Sequence, residues 1–283
     1  MSAAADAHPS IPPVSERRPM FDALLHAWTE RAERRALYWW RPRDGRINMG
    51  DQLSQVIVSR VLALRDRRLA AKRHTRRRLL AIGSVLHFAA SGDTVWGSGV
   101  NGKVAADLHR FDDLDVRAVR GPLTARFLRE RGIAVPAVFG DPGLLMPLFF
   151  PADLLGPGQP RPLAIVPHFN EPLEKYREHA ALLVAPDCPP VTFMRRLLGA
   201  RLVVSSSLHG LVLAEAYGIP AVYLDWGNGE DRFKYDDYYA GTGRTRWHSG
   251  GSVDECVALG GNAGFDLAAI QAGLLAAFPH ELW

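Results

Sequence analysis

The stretch RLVVSSSLHGLVLAEAYGIPAVYLDW, residues 201–226, decides the fold of this chain. It contains the short apolar run 202–204 and closes with a second one in 220–226, and both have the length of buried strands. Between them, residues 209–217 carry helix-forming side chains, so the stretch predicts a strand, a helix and a second strand. Strands that are apolar throughout and alternate with helices are typical of a parallel sheet.

The same alternation extends outward along the chain. It restarts with an apolar run at 163–169 after a Pro- and Gly-rich stretch at 151–162, which is the predicted linker. We therefore predict an α/β fold of two Rossmann-like domains facing a cleft, an N-terminal domain at 20–155 and a C-terminal domain at 162–283. Residues 1–19 carry four prolines and few apolar side chains, which is typical of a disordered leader.

The individual elements follow from hydrophobic periodicity and from Pro and Gly punctuation. Strands are predicted at 79–86, 94–100, 115–120, 163–169 and 182–186, and helices at 122–131, 171–181, 192–198 and 267–278.

The charge balance indicates an anionic partner. The chain has 34 Lys and Arg against 30 Asp and Glu, a formal net charge of +4 and a pI near 9.3, which fits a phosphorylated substrate, a lipid surface or nucleic acid. Eight basic residues crowd the segment 65–78, with only Asp66 opposing them. Such a run is usually a solvated face, and the alternative is contact with anionic membrane lipid.

Cysteine usage and hydropathy limit the class of protein. Cys188 and Cys256 lie far apart without histidines at ligand spacing, so we expect neither a disulfide framework nor a metal site, and a reducing cytoplasm fits. Residues 1–19 lack the apolar core of a signal peptide, and no run of about 18 apolar residues follows. Any association with a membrane is therefore expected to be peripheral.

The turn inside the opening stretch is the first candidate site. Ser205, Ser206 and Ser207 end the strand and His209-Gly210 opens the helix, so unpaired N–H groups and the positive helix end meet an imidazole. This arrangement suits a phosphate or a carboxylate, and the histidine can carry a proton near neutral pH. Helix capping by serine beside a satisfied histidine is the other interpretation.

A second candidate lies at the start of an earlier helix. Asn48-Met49-Gly50-Asp51 leads directly into apolar residues at helical spacing. Gly50 allows a close backbone approach, and Asp51 is either the N-cap of the helix or a base that accepts a proton from a hydroxyl.

Two more charged or titratable residues end predicted strands. Arg120 precedes a helix that starts with proline, and it either binds a carboxylate or phosphate or is an ordinary surface arginine. His168 is either a contact in the cleft or a buried structural histidine. Glycines at 97, 99 and 102 match a dinucleotide fingerprint by letter, and we interpret them as a cleft loop.

The segment 225–239 is predicted as a loop rich in aromatic and planar polar side chains, among them Trp226 and Arg232. Such side chains suit a sugar ring, and a packed acidic loop is the alternative. The turn at 140–143 positions Asp141 for a structural or a functional role. The motifs GxSxG, HExxH and GxxxxGK[ST] are absent, which disfavours serine hydrolases, zincins and P-loop kinases.

Four of these motifs occur together in an order typical of one family. They are Asn48-Met49-Gly50-Asp51, Val119-Arg120-Gly121-Pro122, Gly140-Asp141-Pro142 and Ser206-Ser207-Leu208-His209-Gly210, and they span most of residues 45–225. Through them the chain resembles the polysaccharide pyruvyl transferase family. The resemblance is strongest to the xanthan ketal pyruvate transferases, through segments such as GSVLHF at 83–88 and IVPHFNEP at 165–172.

The resemblance implies a GT-B-like fold and a ketal pyruvyltransferase with phosphoenolpyruvate as co-substrate, without a further cofactor. The acceptor it implies is a terminal mannose, modified at its 4- and 6-hydroxyls, on a polyprenyl-diphosphate-linked oligosaccharide of exopolysaccharide synthesis. The implied partners are phosphoenolpyruvate, this lipid-linked oligosaccharide and the inner face of the cytoplasmic membrane, where the protein is peripheral. Nucleic acid is not among them.

Ketal formation from an enolpyruvate needs an acid, a base and cationic contacts for carboxylate and phosphate, and this chemistry predicts roles for single residues. His209 is the proton donor or a phosphate contact, Asp51 activates a hydroxyl, and His168 makes a second contact to the donor. Substrate contacts are predicted at Asn48, Gly50, Arg120, Ser206, Ser207, Leu208, Gly210, Trp226 and Arg232, with Arg120 as an anion clamp.

One position departs from the family pattern. Family members often carry arginine two residues before the histidine, whereas this chain has Ser207 there. The charge that binds the donor must then come from Arg120, Arg232, Arg244 or the helix N-terminus.

Two other functions compete with this prediction. A nucleotide-sugar-dependent glycosyltransferase of exopolysaccharide synthesis has the same two-lobed fold. A non-catalytic protein that binds RNA or another anionic polymer agrees with the high pI.

Overall fold

The computed structural model of the chain describes residues 36–71, 77–227 and 229–283. It contains two four-stranded sheets, and in both the neighbouring strands run parallel and follow one another in chain order. The α/β class predicted from the sequence is confirmed. The first sheet consists of β1 (Leu37–Tyr38), β2 (Leu79–Leu80), β3 (Thr94–Trp96) and β4 (Asp115–Ala118), and the second of β5 (Ala164–Val166), β6 (Val203–Ser205), β7 (Ala221–Leu224) and β8 (Ser249–Gly250).

Helices connect and cover the strands. The α-helices are α1 (Met49–Ala63), α2 (Pro122–Arg129), α3 (Met146–Phe149), α4 (Ala152–Leu155), α5 (Pro190–Leu197), α6 (Leu208–Ala216), α7 (Phe233–Gly241), α8 (Val253–Leu259) and α9 (Leu267–Ala276). Shorter 3-10 segments lie at Leu69–Ala71, Leu86–Phe88, Ala106–Leu108, Pro142–Leu145, Leu173–Leu182 and His280–Leu282.

The strands are shorter than the apolar runs that predict them. The run at 79–86 forms a strand only at Leu79–Leu80, and the run at 94–100 only at Thr94–Trp96. Gly83 and Gly97 follow these strands with φ of 98° and 92°, a left-handed conformation that ends the extended chain. Early turns leave the residues after each strand free to line a site.

Two predicted elements are wrong. The run at 182–186 is not a strand, because it makes only an isolated bridge from Leu183 to Ile165 and ends in Pro186, which cannot donate to a ladder. The segment 225–239, predicted as a loop, contains most of α7. Tyr235, Tyr238 and Tyr239 lie at helical spacing and are fully buried, so their packing specifies a helix.

One hydrophobic cluster joins the two halves of the molecule. It contains Leu53 of α1, Leu144 of the 3-10 turn Pro142–Leu145 and Val212 of α6. Helix α1 lies between β1 and β2 of the first sheet along the chain, yet it packs on α5 and on that turn, against which α6 also packs. The N-terminal ends of α1 and α6 are thereby brought side by side. The domain limits 20–155 and 162–283 stay predictions.

The start of α1 corrects the predicted cap. The N-cap is Asn48, whose Oδ1 accepts a hydrogen bond of 3.1 Å from the Gly50 N–H, rather than Asp51. Asp51 lies within the first helical turn. Its carboxylate is therefore available for another task.

Further predictions concern the N-terminal leader, the basic segment 65–78, membrane-spanning helices and metal sites. The leader at 1–19 and residues 72–76 of the basic run lie outside the described residues. In the part that is described, Arg78 of this run pairs with Asp93 at 2.6 Å and Arg67 donates to the His280 carbonyl. Within the described ranges, no helix is long and apolar enough to cross a membrane, and no three His, Cys, Asp or Glu side chains group to hold a metal.

Candidate active site

A pocket of about 240 Å³ lies where the carboxyl ends of both sheets meet. Ligands of open parallel sheets bind at this end of the strands. One wall comes from the first half of the chain and the other from the second. The lining residues are Trp40, Asn48, Asp51, Gly83, Ser84, Val85, His87, Phe88, Asn101, His168, Phe169, Asn170, Ser207, Leu208, His209, Glu230 and Lys234.

Gly50 and His209 meet where α1 approaches α6. A Cβ atom at position 50 would lie 2.2 Å from Nδ1 of His209, far inside van der Waals contact. Only glycine therefore allows the imidazole to occupy this place. The contact explains why the two motifs, which are far apart in sequence, belong to one site.

A buried carboxylate lies behind His209. Asp141 is fully buried, its Oδ1 accepts a hydrogen bond of 2.8 Å from the Gly143 N–H, and its Oδ2 lies 3.6 Å from Nε2 of His209. Neither of these last two atoms has a hydrogen-bonding partner among the described residues. At this distance Asp141 can serve as the charge partner of an imidazolium when His209 holds an additional proton.

Asp51 lines the pocket beside His209. Burial raises the pKa of its carboxyl to about 6, while the charges of His209 and Lys234 and a hydrogen bond with Asn48 act in the opposite direction. A carboxyl group with this pKa exchanges protons near neutral pH. Asp51 is thus suited to general acid or base chemistry.

His168 lies across the pocket, after the end of β5. Burial and, second to it, the charge of Lys234 lower the pKa of its imidazole to about 4, so the ring is neutral at neutral pH. Its Nε2 lies 3.6 Å from Oε1 of Glu230. A neutral imidazole can donate or accept a hydrogen bond without carrying charge.

In the turn before α6, some residues line the pocket and others are buried behind it. Ser207, Leu208 and His209 line the pocket, and the first N–H groups of the nine-residue helix have no partner within the helix. Ser206 is fully buried, and its Oγ donates a hydrogen bond of 2.7 Å to Oε2 of Glu171. A Cβ atom on Gly210 would lie 2.4 Å from Oγ of Ser205, so Gly210 allows α6 to pack on the sheet.

Arg120 lies behind the pocket and does not line it. Its side chain is fully buried, with Nε 3.1 Å from Oδ2 of Asp237, Nη1 2.7 Å from Oγ of Ser84 and Nη2 2.8 Å from the Val100 carbonyl. Asp237 also accepts hydrogen bonds from the N–H groups at the start of α2. In this structure Arg120 holds Ser84, which does line the pocket, and ties α7 to α2.

Trp226 and Arg232, predicted sugar contacts, lie outside the pocket. Nε1 of Trp226 donates a hydrogen bond of 3.2 Å to Oε1 of Glu171. The guanidinium of Arg232 covers the ring of Trp247 at 4.3 Å and pairs with Asp225 at 3.2 Å. The structure does not bring these two side chains together with His209.

The structure adds charged residues that sequence reasoning did not select. Lys234 and Glu230 line the pocket and form an ion pair, and Glu230 also pairs with Lys103. The sequence feature that could have identified Lys234 is the helical spacing of the tyrosines that follow it. This spacing predicts a buried helix, and Lys234 lies on that helix. The sequence alone left open whether Asp141 has a structural or a functional role. Its position behind His209 favours a functional role.

Comparisons with known proteins identify relatives of the chain. The family described as polysaccharide pyruvyl transferase matches residues 63–228, more than half of the chain. The succinoglycan biosynthesis protein ExoV of Rhizobium meliloti is 27% identical over 215 residues, which cover 71% of this chain and 63% of that protein, less than two thirds of its length.

A solved structure from Klebsiella pneumoniae, described as that of a functional uncharacterized protein, shares 12% identity with a TM-score of 0.36. The match covers 78% of this chain and 92% of that one.

Proposed function

Because this chain belongs to the polysaccharide pyruvyl transferase family, we propose that it transfers pyruvate from phosphoenolpyruvate to two hydroxyls of a sugar in exopolysaccharide synthesis. The observation that carries the proposal is the meeting of Asp51 and His209 in one pocket at the N-terminus of α6. These are the acid, base and anion-binding groups that the reaction needs. The ExoV protein of succinoglycan biosynthesis is a relative consistent with this reaction class.

The chemistry defines what the pocket must supply. The methylene carbon of phosphoenolpyruvate takes up a proton, and a sugar hydroxyl adds through its oxygen to the neighbouring carbon. The bond from that carbon to the phosphate oxygen then breaks, phosphate leaves, and a second hydroxyl adds to close the ketal. Each hydroxyl loses its proton; of these two protons one balances the proton taken up by the methylene carbon and the other leaves on the released phosphate, and no electron is transferred to an outside group. The site therefore needs an acid, a base and contacts for two anionic groups.

We assign these tasks to the residues of the pocket. His209, backed by Asp141, gives the proton to the methylene carbon, and Asp51 accepts the proton of the attacking hydroxyl. At pH 7 and above Asp51 is mostly ionised, since burial raises its pKa only to about 6. The first N–H groups of α6 bind the phosphate, as helix N-termini do. His168, neutral because burial lowers its pKa to about 4, supplies a hydrogen bond to the donor.

For the acceptor we propose the terminal mannose of a polyprenyl-diphosphate-linked oligosaccharide, ketalised at its 4- and 6-hydroxyls. A second pocket of about 430 Å³ shares Trp40 and Asn48 with the first and is lined by Arg41, Arg43 and Arg46. Its arginines suit a diphosphate, and its position suits a sugar that reaches Asp51. We also propose a GT-B-like arrangement of the two halves and peripheral action at the inner face of the cytoplasmic membrane.

The decisive experiment incubates the purified chain with phosphoenolpyruvate and the mannose-terminated acceptor and measures phosphate release together with ketal formation by NMR. We expect both products, and we expect Asp51→Asn and His209→Ala to lose turnover while staying folded. Asp153→Asn and His179→Ala are matched controls outside the pocket, and both variants should keep full turnover. Consumption of a sugar nucleotide without phosphate release from phosphoenolpyruvate would instead show the glycosyltransferase.

A further inference from the structure

The pocket contains one lysine where the donor requires positive charge. Lys234 is the only lysine or arginine among the described residues that line the pocket. Phosphoenolpyruvate carries a carboxylate and a phosphate, and bound anions of this kind are met by preorganised donors and cations. Arg120 is turned away into an ion pair with Asp237, and position 207 is serine. The remaining cation in the site is therefore Lys234.

Lys234 is held in an unusual place for a lysine. Its side chain is only 9% exposed, and its Nζ pairs with Glu230 and lies 5.1 Å from the ring centroid of Tyr235. Burial lowers the pKa of its ammonium group, while the Glu230 carboxylate acts in the opposite direction. A buried ammonium needs a charge partner, because an uncompensated charge in such a place is costly.

Lys234 also acts on both titratable groups across the pocket. Its charge favours the ionised form of Asp51 and the neutral form of His168, which lowers both pKa values. Asp51, His168 and Lys234 all line this one pocket. An anion bound to the ammonium would lie beside the residues that handle protons.

Glu230 occupies the position of an anionic ligand. Its carboxylate pairs with Lys234 and Lys103 and lies 3.6 Å from Nε2 of His168. Burial would raise its pKa, but the two lysines lower it to about 2, so the group is ionised at working pH. It belongs to the segment between β7 and α7. A carboxylate from the protein thus sits where the carboxylate of the donor would find its cation.

We propose that Lys234 binds the carboxylate of phosphoenolpyruvate, and that this carboxylate replaces Glu230 as its partner when the donor enters. The inference rests on the proposed function and assigns the cation that Ser207 does not supply. The exchange keeps the buried ammonium paired in both states. The phosphate remains at the N-terminus of α6, so the two anionic groups of the donor have separate contacts.

Donor binding without acceptor tests the assignment, measured by isothermal titration calorimetry with phosphoenolpyruvate. Lys234→Gln should weaken binding roughly tenfold to hundredfold, the range of a hydrogen bond between charged groups. Inorganic phosphate should bind the variant and the unmodified chain alike, because the variant loses only the carboxylate contact. Lys175→Gln, an exposed lysine outside the pocket, is the matched control.

The Glu230→Gln variant tests whether Glu230 competes with the donor for Lys234 or only supports the fold. It removes the charge that competes for Lys234, so phosphoenolpyruvate should bind several-fold more tightly. A residue that only supports the fold would give weaker binding in this variant. Unchanged or weaker binding of the donor by Glu230→Gln overturns the exchange, and unchanged binding by Lys234→Gln overturns the assignment of the cation.

The two proposals fail in different ways. If the unmodified chain does not bind phosphoenolpyruvate, the proposed function is wrong. If it binds the donor and Lys234→Gln binds it equally well, only the role of Lys234 is wrong. Lys234→Arg keeps the charge and should restore part of the affinity, and thermal unfolding of each variant reports whether the fold is intact.

Discussion

At the scale of single residues, Asp51 shows how the pocket sets the chemistry of one side chain. Burial raises its pKa from 3.8 to about 6, although His209, Lys234 and Asn48 favour the ionised form. The folded protein therefore holds this proton more tightly than the unfolded chain between about pH 4 and pH 6. The stabilising contribution of the proton is present below pH 3.8 and is lost as the pH rises through 6.

We expect Asp51→Asn to relieve this cost. Asparagine carries no charge to bury, so the variant should gain stability relative to the unmodified chain as the pH rises from 4 to 8. A pKa difference of this size corresponds to on the order of 2–3 kcal/mol in the free energy of unfolding. Denaturant unfolding at pH 4, 6 and 8 measures the difference.

The same series carries its own control. Asp153→Asn alters an exposed carboxylate, so its unfolding free energy should follow that of the unmodified chain at each pH. A stability difference for Asp51→Asn that stays constant from pH 4 to pH 8 would contradict the raised pKa. Gain of stability with loss of turnover is expected where a site keeps a charge in an unfavourable place.

The sequence predicts some site residues and not others, for physical reasons that the residues themselves show. Asn48, Asp51, His168 and His209 follow strands or start helices, and local patterns place such residues at the ligand-binding end of a parallel sheet. Arg120 has the same local signal. Its partner Asp237 is 117 residues away, and this non-local ion pair turns the guanidinium away from the pocket.

At the scale of elements, α1 and α6 meet through a single glycine. The Cβ of any other residue at position 50 would lie 2.2 Å from Nδ1 of His209, so either the imidazole or the helix must move. Gly50→Ala should therefore displace the ring of His209. A displacement of about 1 Å at a catalytic group can lower turnover on the order of 100-fold.

Phosphate release from phosphoenolpyruvate in the presence of acceptor measures this loss. Gly264→Ala is the matched control, because a Cβ atom at this exposed glycine has open space around it and should leave turnover unchanged. Full turnover by Gly50→Ala would show that the position of the ring is not needed. The NMR signal of the His209 imidazole reports the displacement independently of activity.

Helix α7 illustrates what local patterns miss. The segment 225–239 contains Gly, Asp and Asn that are typical of loops, and these predict an irregular chain. Three tyrosines in its second half pack into the core and specify a helix instead. Since Lys234 lies on this helix, the wrong prediction for the element also concealed the cation of the pocket.

At the scale of the whole molecule, the pocket exists only because the halves pack together. Asp51 and Gly83 come from the first half, whereas His168, His209 and Lys234 come from the second. Parallel strands and their order of alternation could be predicted from the sequence. The packing of α1 on helices of the second half could not, because it depends on apolar contacts between residues more than 100 positions apart.

The arginine-lined pocket that adjoins the donor pocket gives the last prediction. Arg43 and Arg46 line it, and the guanidinium of Arg46 lies over the ring of Phe169, which also lines the donor pocket. If this pocket binds the diphosphate of the acceptor, the double variant Arg43→Gln/Arg46→Gln should raise the KM for that acceptor. About 1 kcal/mol per basic residue corresponds to roughly 30-fold for the pair.

The contrast between substrates makes this prediction specific to the diphosphate. The KM for phosphoenolpyruvate and the KM for the same oligosaccharide without its diphosphate should both stay unchanged, because neither depends on these arginines. Arg195→Gln/Arg196→Gln removes two exposed arginines from α5 and controls for the loss of net charge. An equal rise in KM for both acceptors would place the sugar rather than the diphosphate at Arg43 and Arg46, and an unchanged KM would place the acceptor elsewhere.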